Sequence, residues 1–319
     1  MKIVFIGTPD FAVESLAKIY DSGHEVVAVV SQPDKPSGRG MKLMVPPVKE
    51  YAIGKNIKVY QPEKVKGNTE FVEEIRALKP DVIVVVAYGK LLSKEILETP
   101  KYGCVNVHGS LLPKYRGSAP IQWAIINGES KTGITTMYMN EGMDTGDMIL
   151  KEEIDILDSD TYGTLYEKLK KLGGKLIVET LEQIAEGFIA RQKQPDDFTL
   201  APMIQKSLGN IDWNKSAVEI RNLIRGLNPM PGAYTCLDDK IMKIWMAEVV
   251  DSELTIESEV IPGTIVKADT KNGLIIATGN GMLKITELQM TNAKRMLAVD
   301  YLRGNSIEVG SIFVSERRL

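Results

Sequence analysis

The sequence predicts an α/β protein in which a Rossmann-like, doubly wound and mostly parallel sheet is followed by a smaller OB-like β-barrel domain. Two observations carry this prediction. Apolar runs of strand length alternate with segments of helical spacing through the first half of the chain. Short strand-like runs separated by turn signals fill the last third,. A length of 319 residues is sufficient for two such domains,.

Strands and helices alternate in the first half. Asp81–Val86 is apolar on both faces, which is typical of a parallel strand covered by helices on both sides,. A long helix with apolar spacing follows residue 156, and Thr164 with Glu167 has the spacing of a capping box at its start,. The remaining strands are predicted at Ile3–Ile6, Val26–Val30, Val105–His108 and Ile134–Tyr138, and the remaining helices at Phe11–Tyr20, Phe71–Leu78 and Ile121–Asn127.

A loss of periodicity marks a predicted linker. Residues 190–210 contain two prolines and an acidic pair but neither a helical nor a strand pattern. We therefore expect a first domain over residues 1–189 and a second over residues 211–319. The second domain begins with a predicted helix at Ser216–Leu227, and turn signals such as Gly279-Asn280-Gly281 separate its later strands,.

The composition excludes several classes of protein. Two cysteines, Cys104 and Cys236, and two histidines lack the spacing of a zinc site or a disulfide framework, so no metal is expected,. No apolar run reaches the length of a membrane span, and the N-terminus has no signal character,. We therefore expect a cytoplasmic protein with no membrane partner, and nothing in the sequence suggests more than a monomer.

The first strand-to-helix turn argues against a nicotinamide cofactor. It reads Gly7-Thr8-Pro9-Asp10-Phe11 rather than G-x-G-x-x-G. Pro9 has no amide hydrogen to offer a pyrophosphate. A Rossmann-like sheet alone therefore does not establish dinucleotide binding here.

Three polar residues form a candidate catalytic set. Asn106 and His108 alternate with valines in Val105–His108, so both side chains point to the same face of a strand,. Asparagine is uncommon in strands, which favours a functional reason for Asn106. Asp144 follows in the glycine-rich stretch Gly142-Met143-Asp144-Thr145-Gly146. An amide, an imidazole and a carboxylate together suit chemistry that handles a carbonyl group and a proton.

A basic segment lies between the second strand and the next helix. Residues 35–49 hold four cations and no acid, and Gly38 and Gly40 flank Arg39. Because glycines permit close approach of the backbone, this tip suits contact with a phosphate backbone. The last 112 residues, 208–319, carry 13 basic against 14 acidic side chains. Nucleic acid could therefore bind this domain only through a patch, for which Lys294-Arg295 and Arg303 are the candidates.

The motifs together resemble those of the folate-dependent formyltransferases. The resemblance covers the whole chain, and the basic segment is similar to that of the members that act on tRNA. It is carried by the run Asn106–Pro113, by Tyr115-Arg116-Gly117, by Gly142–Gly146 and by Asn228–Ala233 at the entry to the second domain.

The resemblance implies transfer of a formyl group from 10-formyltetrahydrofolate to the α-amine of methionine carried by initiator tRNA, for translation initiation. It assigns catalysis to Asn106, His108 and Asp144, and leaves open whether Asp144 holds the His108 tautomer or accepts the amine's proton. It assigns tRNA binding to Arg39, Lys35 and Lys42 and to the second domain. The implied cofactor contacts are Tyr88, Gly89, Leu91, Ser110, Leu111, Leu112, Pro113 and Asn140.

Three alternatives stay open at this point. A formyltransferase acting on an amino-sugar nucleotide would share the catalytic residues but would not need the basic segment. A purine-pathway formyltransferase would be expected to lack the second domain. A non-catalytic nucleic-acid-binding module built on an OB barrel would not need Asn106, His108 and Asp144 together.

Overall fold

A computed structural model describes residues 1–37, 42–188, 191–237, 240–250 and 260–314. The chain forms two compact units. The first consists of Met1–Pro120, Lys131–Asp155 and Tyr166–Pro202, and the second of Ile121–Ser130, Ile156–Leu165 and Met203–Leu319. The domain boundaries at 189 and 211 stay predictions, and the residues of the predicted linker up to Pro202 lie in the first unit.

The predicted helices occur in the predicted order, with additional short helices between and after them. Their bounds are α1 (Asp10–Asp21), α2 (Pro47–Gly54), α3 (Thr69–Ala77), α4 (Lys94–Leu97), α5 (Pro120–Ile126), α6 (Tyr162–Ala185), α7 (Ala217–Gly226) and α8 (Ala298–Gly304), with a 3-10 turn at Lys206–Gly209. Within the described ranges, no helix combines the length and the apolar character needed to cross a membrane.

The first unit contains eleven strands among the described residues, and seven of them form its central sheet. They are β1 (Lys2–Gly7), β2 (Glu25–Val30), β3 (Lys35–Ser37), β4 (Lys42–Met44), β5 (Val59–Tyr60), β6 (Val82–Val86), β7 (Cys104–His108), β8 (Arg116–Gly117), β9 (Lys131–Tyr138), β10 (Met148–Asp155) and β11 (Leu200–Ala201). The central sheet has the order β10-β9-β7-β6-β1-β2-β5. The five neighbouring strands β7, β6, β1, β2 and β5 pair in parallel, whereas β9 pairs antiparallel with both β7 and β10.

This arrangement confirms the predicted α/β fold with a mostly parallel central sheet. Every residue of β6 and β7 is buried, as expected for central strands covered on both faces. Because β6 and β7 run in the same direction, their carboxyl ends meet at one edge of the sheet, where parallel α/β sheets usually bind ligands.

Helix α6 packs closely on the central sheet. A Cβ added to Gly173 would lie 3.1 Å from Val107 Cγ1, so the missing side chain allows the close approach. The hydroxyls of Thr180 and Thr136 on β9 lie 2.9 Å apart in a buried hydrogen bond. These contacts hold α6 behind the strand that carries Asn106 and His108.

The predicted capping box of Thr164 and Glu167 is wrong. Helix α6 begins at Tyr162, one residue after Thr161. The Thr161 amide donates to Thr164 Oγ1 at 3.0 Å, and the Thr164 amide donates to Thr161 Oγ1 at 3.3 Å. The reciprocal cap therefore lies one helical turn before the predicted one.

The second unit holds a separate antiparallel sheet. Its strands are β12 (Ala233–Leu237), β13 (Lys240–Val250), β14 (Ile265–Asp269), β15 (Gly273–Ala277), β16 (Met282–Met290) and β17 (Met296–Leu297). The order is β12-β13-β16-β15-β14, with β17 on β16. Its core includes Trp213, stacked on Phe313 with ring centroids 5.6 Å apart. A separate β-rich second unit agrees with the sequence, and its assignment to the OB type stays a prediction.

Candidate active site

Strand β7 ends in the two polar residues that the sequence singles out. Asn106 and His108 are buried, with 8% and 6% of their surface exposed. Asn106 pairs with Val85 on one side and Met137 on the other, and His108 pairs with Thr135. Because β7 is hydrogen-bonded to a strand on each side, it holds these two side chains in a fixed position at its carboxyl end.

Both ring nitrogens of His108 face polar atoms. Nε2 lies 2.9 Å from the carbonyl oxygen of Tyr115, and Nδ1 lies 3.6 Å from Asp144 Oδ2. Because a carbonyl oxygen only accepts, Nε2 carries a hydrogen in this arrangement. Nδ1 is therefore the ring nitrogen that can exchange a proton with Asp144.

Asp144 is oriented by the backbone of a neighbouring turn. The Gly117 amide donates to Asp144 Oδ2 at 2.9 Å. The turn Tyr115–Gly117 thus contacts His108 through a carbonyl and Asp144 through an amide hydrogen. A side chain on Gly117 would place its Cβ 2.6 Å from the Ala201 carbonyl oxygen, so glycine is required there.

Left-handed backbone conformations are concentrated around this site. Among the described residues other than glycine, positive φ occurs at six positions, three of which are Ala87 (+46°), Tyr115 (+61°) and Asp144 (+52°). Each of the three lies in a loop next to β6, β7 or β9. Such conformations persist when surrounding contacts stabilise them, and they are frequent at functional sites.

The side chain of Asn106 differs from its neighbours in having no protein partner. It is buried, yet it makes no hydrogen bond with any residue that the structure describes. The amide atoms of Asn106 are not among the fully buried polar atoms without a partner in the described residues, so they keep contact with solvent. An amide in this state beside His108 and Asp144 is available to a ligand.

The turn after β7 uses several predicted cofactor residues for its own structure. Ser110 Oγ donates to the Lys114 carbonyl at 2.6 Å, and the Leu112 amide donates to Thr135 Oγ1 at 3.1 Å. The side chain of Leu112 packs in a small cluster with Met137 and Met148. The peptide bond between Leu112 and Pro113 is cis. Leu111 is half-buried.

The loop after β6 carries the other predicted cofactor residues. The Tyr88 carbonyl accepts from Gln32 Nε2 at 3.1 Å, and burial raises the pKa of Tyr88 to about 12. Gly89 has a φ of +79°, with open space where a Cβ would lie. The side chain of Leu91 is 62% exposed. This loop therefore presents backbone and an apolar side chain at the edge of the sheet.

The loop between β9 and β10 has its own internal support. Asn140 Oδ1 accepts from the Gly142 amide at 3.0 Å and from Thr145 Oγ1 at 2.8 Å. A Cβ on Gly146 would lie 1.7 Å from the Tyr138 carbonyl oxygen, so the end of the loop packs directly on the strand. Asp144 projects from between these two fixed points.

Sequence reasoning missed the segment that completes the site. Thr199 contacts the turn Tyr115–Gly117 through its hydroxyl, which accepts from the Tyr115 amide at 2.8 Å, and through its carbonyl, which accepts from the Arg116 amide at 2.9 Å. Gln194 contacts the backbone of Asp144. Both residues lie in the stretch predicted to be a linker, and its lack of periodicity gave no signal of these contacts.

The predicted tRNA contacts lie mostly in a short hairpin. Strands β3 and β4 pair antiparallel, and Lys35 at the start of β3 is exposed. Lys42 begins β4. Arg39 lies outside the described residues. At the base of the segment, Lys49 Nζ lies 2.8 Å from Asp34 Oδ2 in an ion pair.

Comparison with known proteins agrees with this organisation in two parts. A family model described as formyl transferase matches residues 1–181, and one described as formyl transferase, C-terminal domain, matches residues 203–306. Among solved structures, WlaRD, a sugar 3N-formyl transferase in the presence of dTDP and 5-N-formyl-THF, has a TM-score of 0.64 at 22% identity. The match covers 92% of this chain and 99% of that one, and it concerns the fold alone.

Curated relatives are much more similar in sequence. The methionyl-tRNA formyltransferase of Clostridioides difficile (strain 630) is 55% identical over 313 residues, which cover 98% of this chain and 99% of the relative. The protein of the same name from Caldanaerobacter subterraneus subsp. tengcongensis is 52% identical over 313 residues, with the same coverage of 98% and 99%. With these identities over nearly its full length, the chain belongs to the methionyl-tRNA formyltransferase family.

Proposed function

We propose that this protein transfers the formyl group of 10-formyltetrahydrofolate to the α-amine of methionyl initiator tRNA, for translation initiation. The observation that carries the proposal is the unpartnered amide of the largely buried Asn106, close to the His108–Asp144 pair. Membership of the methionyl-tRNA formyltransferase family supplies the substrate class.

The reaction moves one carbon group between two nitrogen atoms. The folate donor supplies a formyl group bonded to nitrogen. The amine nitrogen of methionine bonds to the formyl carbon, and the bond from that carbon to the folate nitrogen breaks. The attacking nitrogen loses a proton and the departing nitrogen gains one, so the site must hold the formyl oxygen and handle a proton.

Asn106 is the donor for the formyl oxygen. Negative charge develops on this oxygen during attack, and the Asn106 amide is a hydrogen-bond donor near His108 with no competing partner in the described chain. His108 Nε2 is occupied by the Tyr115 carbonyl, which leaves the oxygen to Asn106. A fixed donor of this kind contributes typically about 10²–10³ in rate.

Asp144 handles the proton. Its Oδ2 accepts from Gly117 and faces His108 Nδ1, whereas Oδ1 makes no hydrogen bond to the described residues. Oδ1 is therefore free to accept the proton of the attacking amine, directly or through water. The Gly117 amide holds the carboxylate in place for this role, and general base catalysis contributes about 10²–10⁴.

The remaining predicted contacts serve the two substrates. The pterin lies against the backbone of Tyr88, Gly89 and Leu91, against the turn Ser110–Pro113 and against the Asn140 loop. The basic segment contacts the acceptor end of the tRNA through Arg39, Lys35 and Lys42. The second domain, an OB-type barrel in this proposal, contributes further tRNA contacts, and the protein acts as a monomer.

Acceptor choice tests the function directly. Formyl transfer from 10-formyltetrahydrofolate is measured with charged initiator Met-tRNA, uncharged tRNA and an amino-sugar nucleotide. We expect product with charged Met-tRNA alone, because the uncharged tRNA lacks the amine. Product with the sugar nucleotide alone would retain the chemistry and overturn the tRNA assignment.

Replacement of Asn106 tests the oxyanion assignment. We expect Asn106→Ala and Asn106→Asp to lower kcat by about 10²–10³, because both remove the donor. Binding of folate and tRNA, measured by titration, should stay within about threefold, since the lost interaction strengthens only during reaction. Near-normal turnover of either Asn106 variant would remove this residue from the catalytic set.

His108→Ala should likewise remove most turnover, with His24→Ala as the matched control.

Replacement of Arg39 tests the role of the basic segment. Arg39→Ala should raise the KM for Met-tRNA and leave folate binding unchanged, since the lost contact is with phosphate. The salt dependence of tRNA binding should also become less steep by about one unit of slope. Lys271→Ala, an exposed turn residue of the second unit, is the charge-matched control. An equal loss of folate and tRNA binding would contradict the assignment.

A further inference from the structure

The side chain of Gln194 makes four hydrogen bonds within the described chain, a long one to Met137 Sδ at 3.9 Å and three with groups around Asp144. Its Nε2 donates to the carbonyl oxygens of Asp144 and Gly146, each at 2.8 Å. Its Oε1 accepts from Arg116 Nε at 2.9 Å. One side chain thus connects the backbone at both ends of the Asp144–Gly146 stretch with the side chain of Arg116.

We propose that Gln194 is a positioning residue for the formyl transfer, which holds the backbone of Asp144 so that its carboxylate faces His108. The assignment deepens the proposed function and rests on it. Gln194 acts through Asp144 and does not itself contact the reacting atoms in this proposal.

The orientation of the Gln194 amide is fixed from the other side. Arg116 Nε donates, so the amide oxygen must face Arg116 and the amide nitrogen must face the two carbonyls,. Arg116 is 9% exposed, and its guanidinium lies 4.4 Å from the ring centroid of Phe198. A buried and stacked guanidinium has little freedom, which makes it a firm support for the amide.

Asp144 needs such support because of its backbone conformation. Its φ of +52° lies in the left-handed region, which is unfavourable for residues with a Cβ,. Gln194 bonds the carbonyl of Asp144 itself and that of Gly146 two residues later. Both bonds oppose relaxation of this turn, which would move the carboxylate away from His108.

The contacts of Gln194 are separable from those that hold its neighbours. Thr199 and the pairing of β11 with β8 attach residues 199–201 to the turn Tyr115–Gly117 without the side chain of Gln194. Asn140 holds the loop separately, through the Gly142 amide before Asp144 and the Thr145 hydroxyl after it. Loss of the Gln194 side chain should therefore remove the support of the Asp144 and Gly146 carbonyls and leave the bonds of Asn140 in place.

The experiment compares Gln194→Ala and Gln194→Glu in the full-length enzyme, with Gln192→Ala as the matched control. Gln192 is exposed and pairs with Met148 through its backbone alone in the described contacts, so its side chain is dispensable. Glutamate keeps the length of glutamine but places an acceptor against two carbonyl oxygens. Formyl transfer to Met-tRNA, folate binding and thermal unfolding are measured for each.

Both Gln194 variants should lower kcat about tenfold to 10²-fold, the cost of a small displacement of a reacting group. Folate binding and the KM for Met-tRNA should stay within about threefold, and Gln192→Ala should match the unchanged enzyme. In an Asp144→Asn background, Gln194→Ala should have little further effect, because Gln194 acts through that carboxylate.

Three results would overturn the assignment. They are full activity of Gln194→Glu, which would mean that only the shape of the side chain matters; an undiminished effect of Gln194→Ala in the Asp144→Asn background; and a change in KM with kcat unaltered. If Gln194→Ala does not fold, Gln194→Glu decides the question. Absence of formyl transfer by the unchanged enzyme would instead contradict the proposed function.

Discussion

The hydrogen bond from the Gly117 amide to Asp144 Oδ2 is the contact on which the rest of the site depends. Together with the bond between His108 Nε2 and the Tyr115 carbonyl, it lets one three-residue turn fix both members of the His108–Asp144 pair. Contacts with β11 and with Thr199 hold this three-residue turn in place. Gly117 permits this pairing, because any side chain would meet the Ala201 carbonyl.

The polar groups of the site divide into satisfied and unsatisfied ones. His108, Ser110 and the Tyr88 carbonyl are occupied by protein partners, which holds their loops in fixed positions. The Asn106 amide has no such partner in the described chain, and it lies on a strand that is paired on both sides. A rigid frame that leaves this donor open suits charge that appears only during reaction, since a preorganised donor needs no rearrangement at that moment.

Most of the fold could be predicted from the sequence, because apolar periodicity reflects burial directly. The strand Asp81–Val86 and the helix Phe11–Tyr20 lie within one residue of β6 and α1 at each end. The start of α6 was misplaced because Thr161 and Thr164 both have capping side chains, and spacing alone does not choose between them. Asn106 and His108 were identifiable because a polar pair interrupts an otherwise apolar strand.

The supporting contacts were not predictable in the same way. Gln194 and Thr199 act on residues about 50 and 84 positions away in sequence, and nothing in their local pattern differs from an ordinary loop. The Tyr115 carbonyl and the Gly117 amide are backbone groups, so the residue type at these positions does not predict their hydrogen bonds. The sequence pattern predicts which residues are buried, whereas the contacts of a turn depend on the three-dimensional course of the chain.

The arrangement of His108 offers the most direct test of this account. The chain has two histidines, so ¹⁵N-histidine labelling of the His24→Gln variant leaves His108 as the single source of ring signals. Long-range ¹H–¹⁵N NMR then reports which ring nitrogen carries the hydrogen of the neutral ring. We expect that hydrogen on Nε2, where it is donated to the Tyr115 carbonyl. A neutral ring with its hydrogen on Nδ1 would contradict the account.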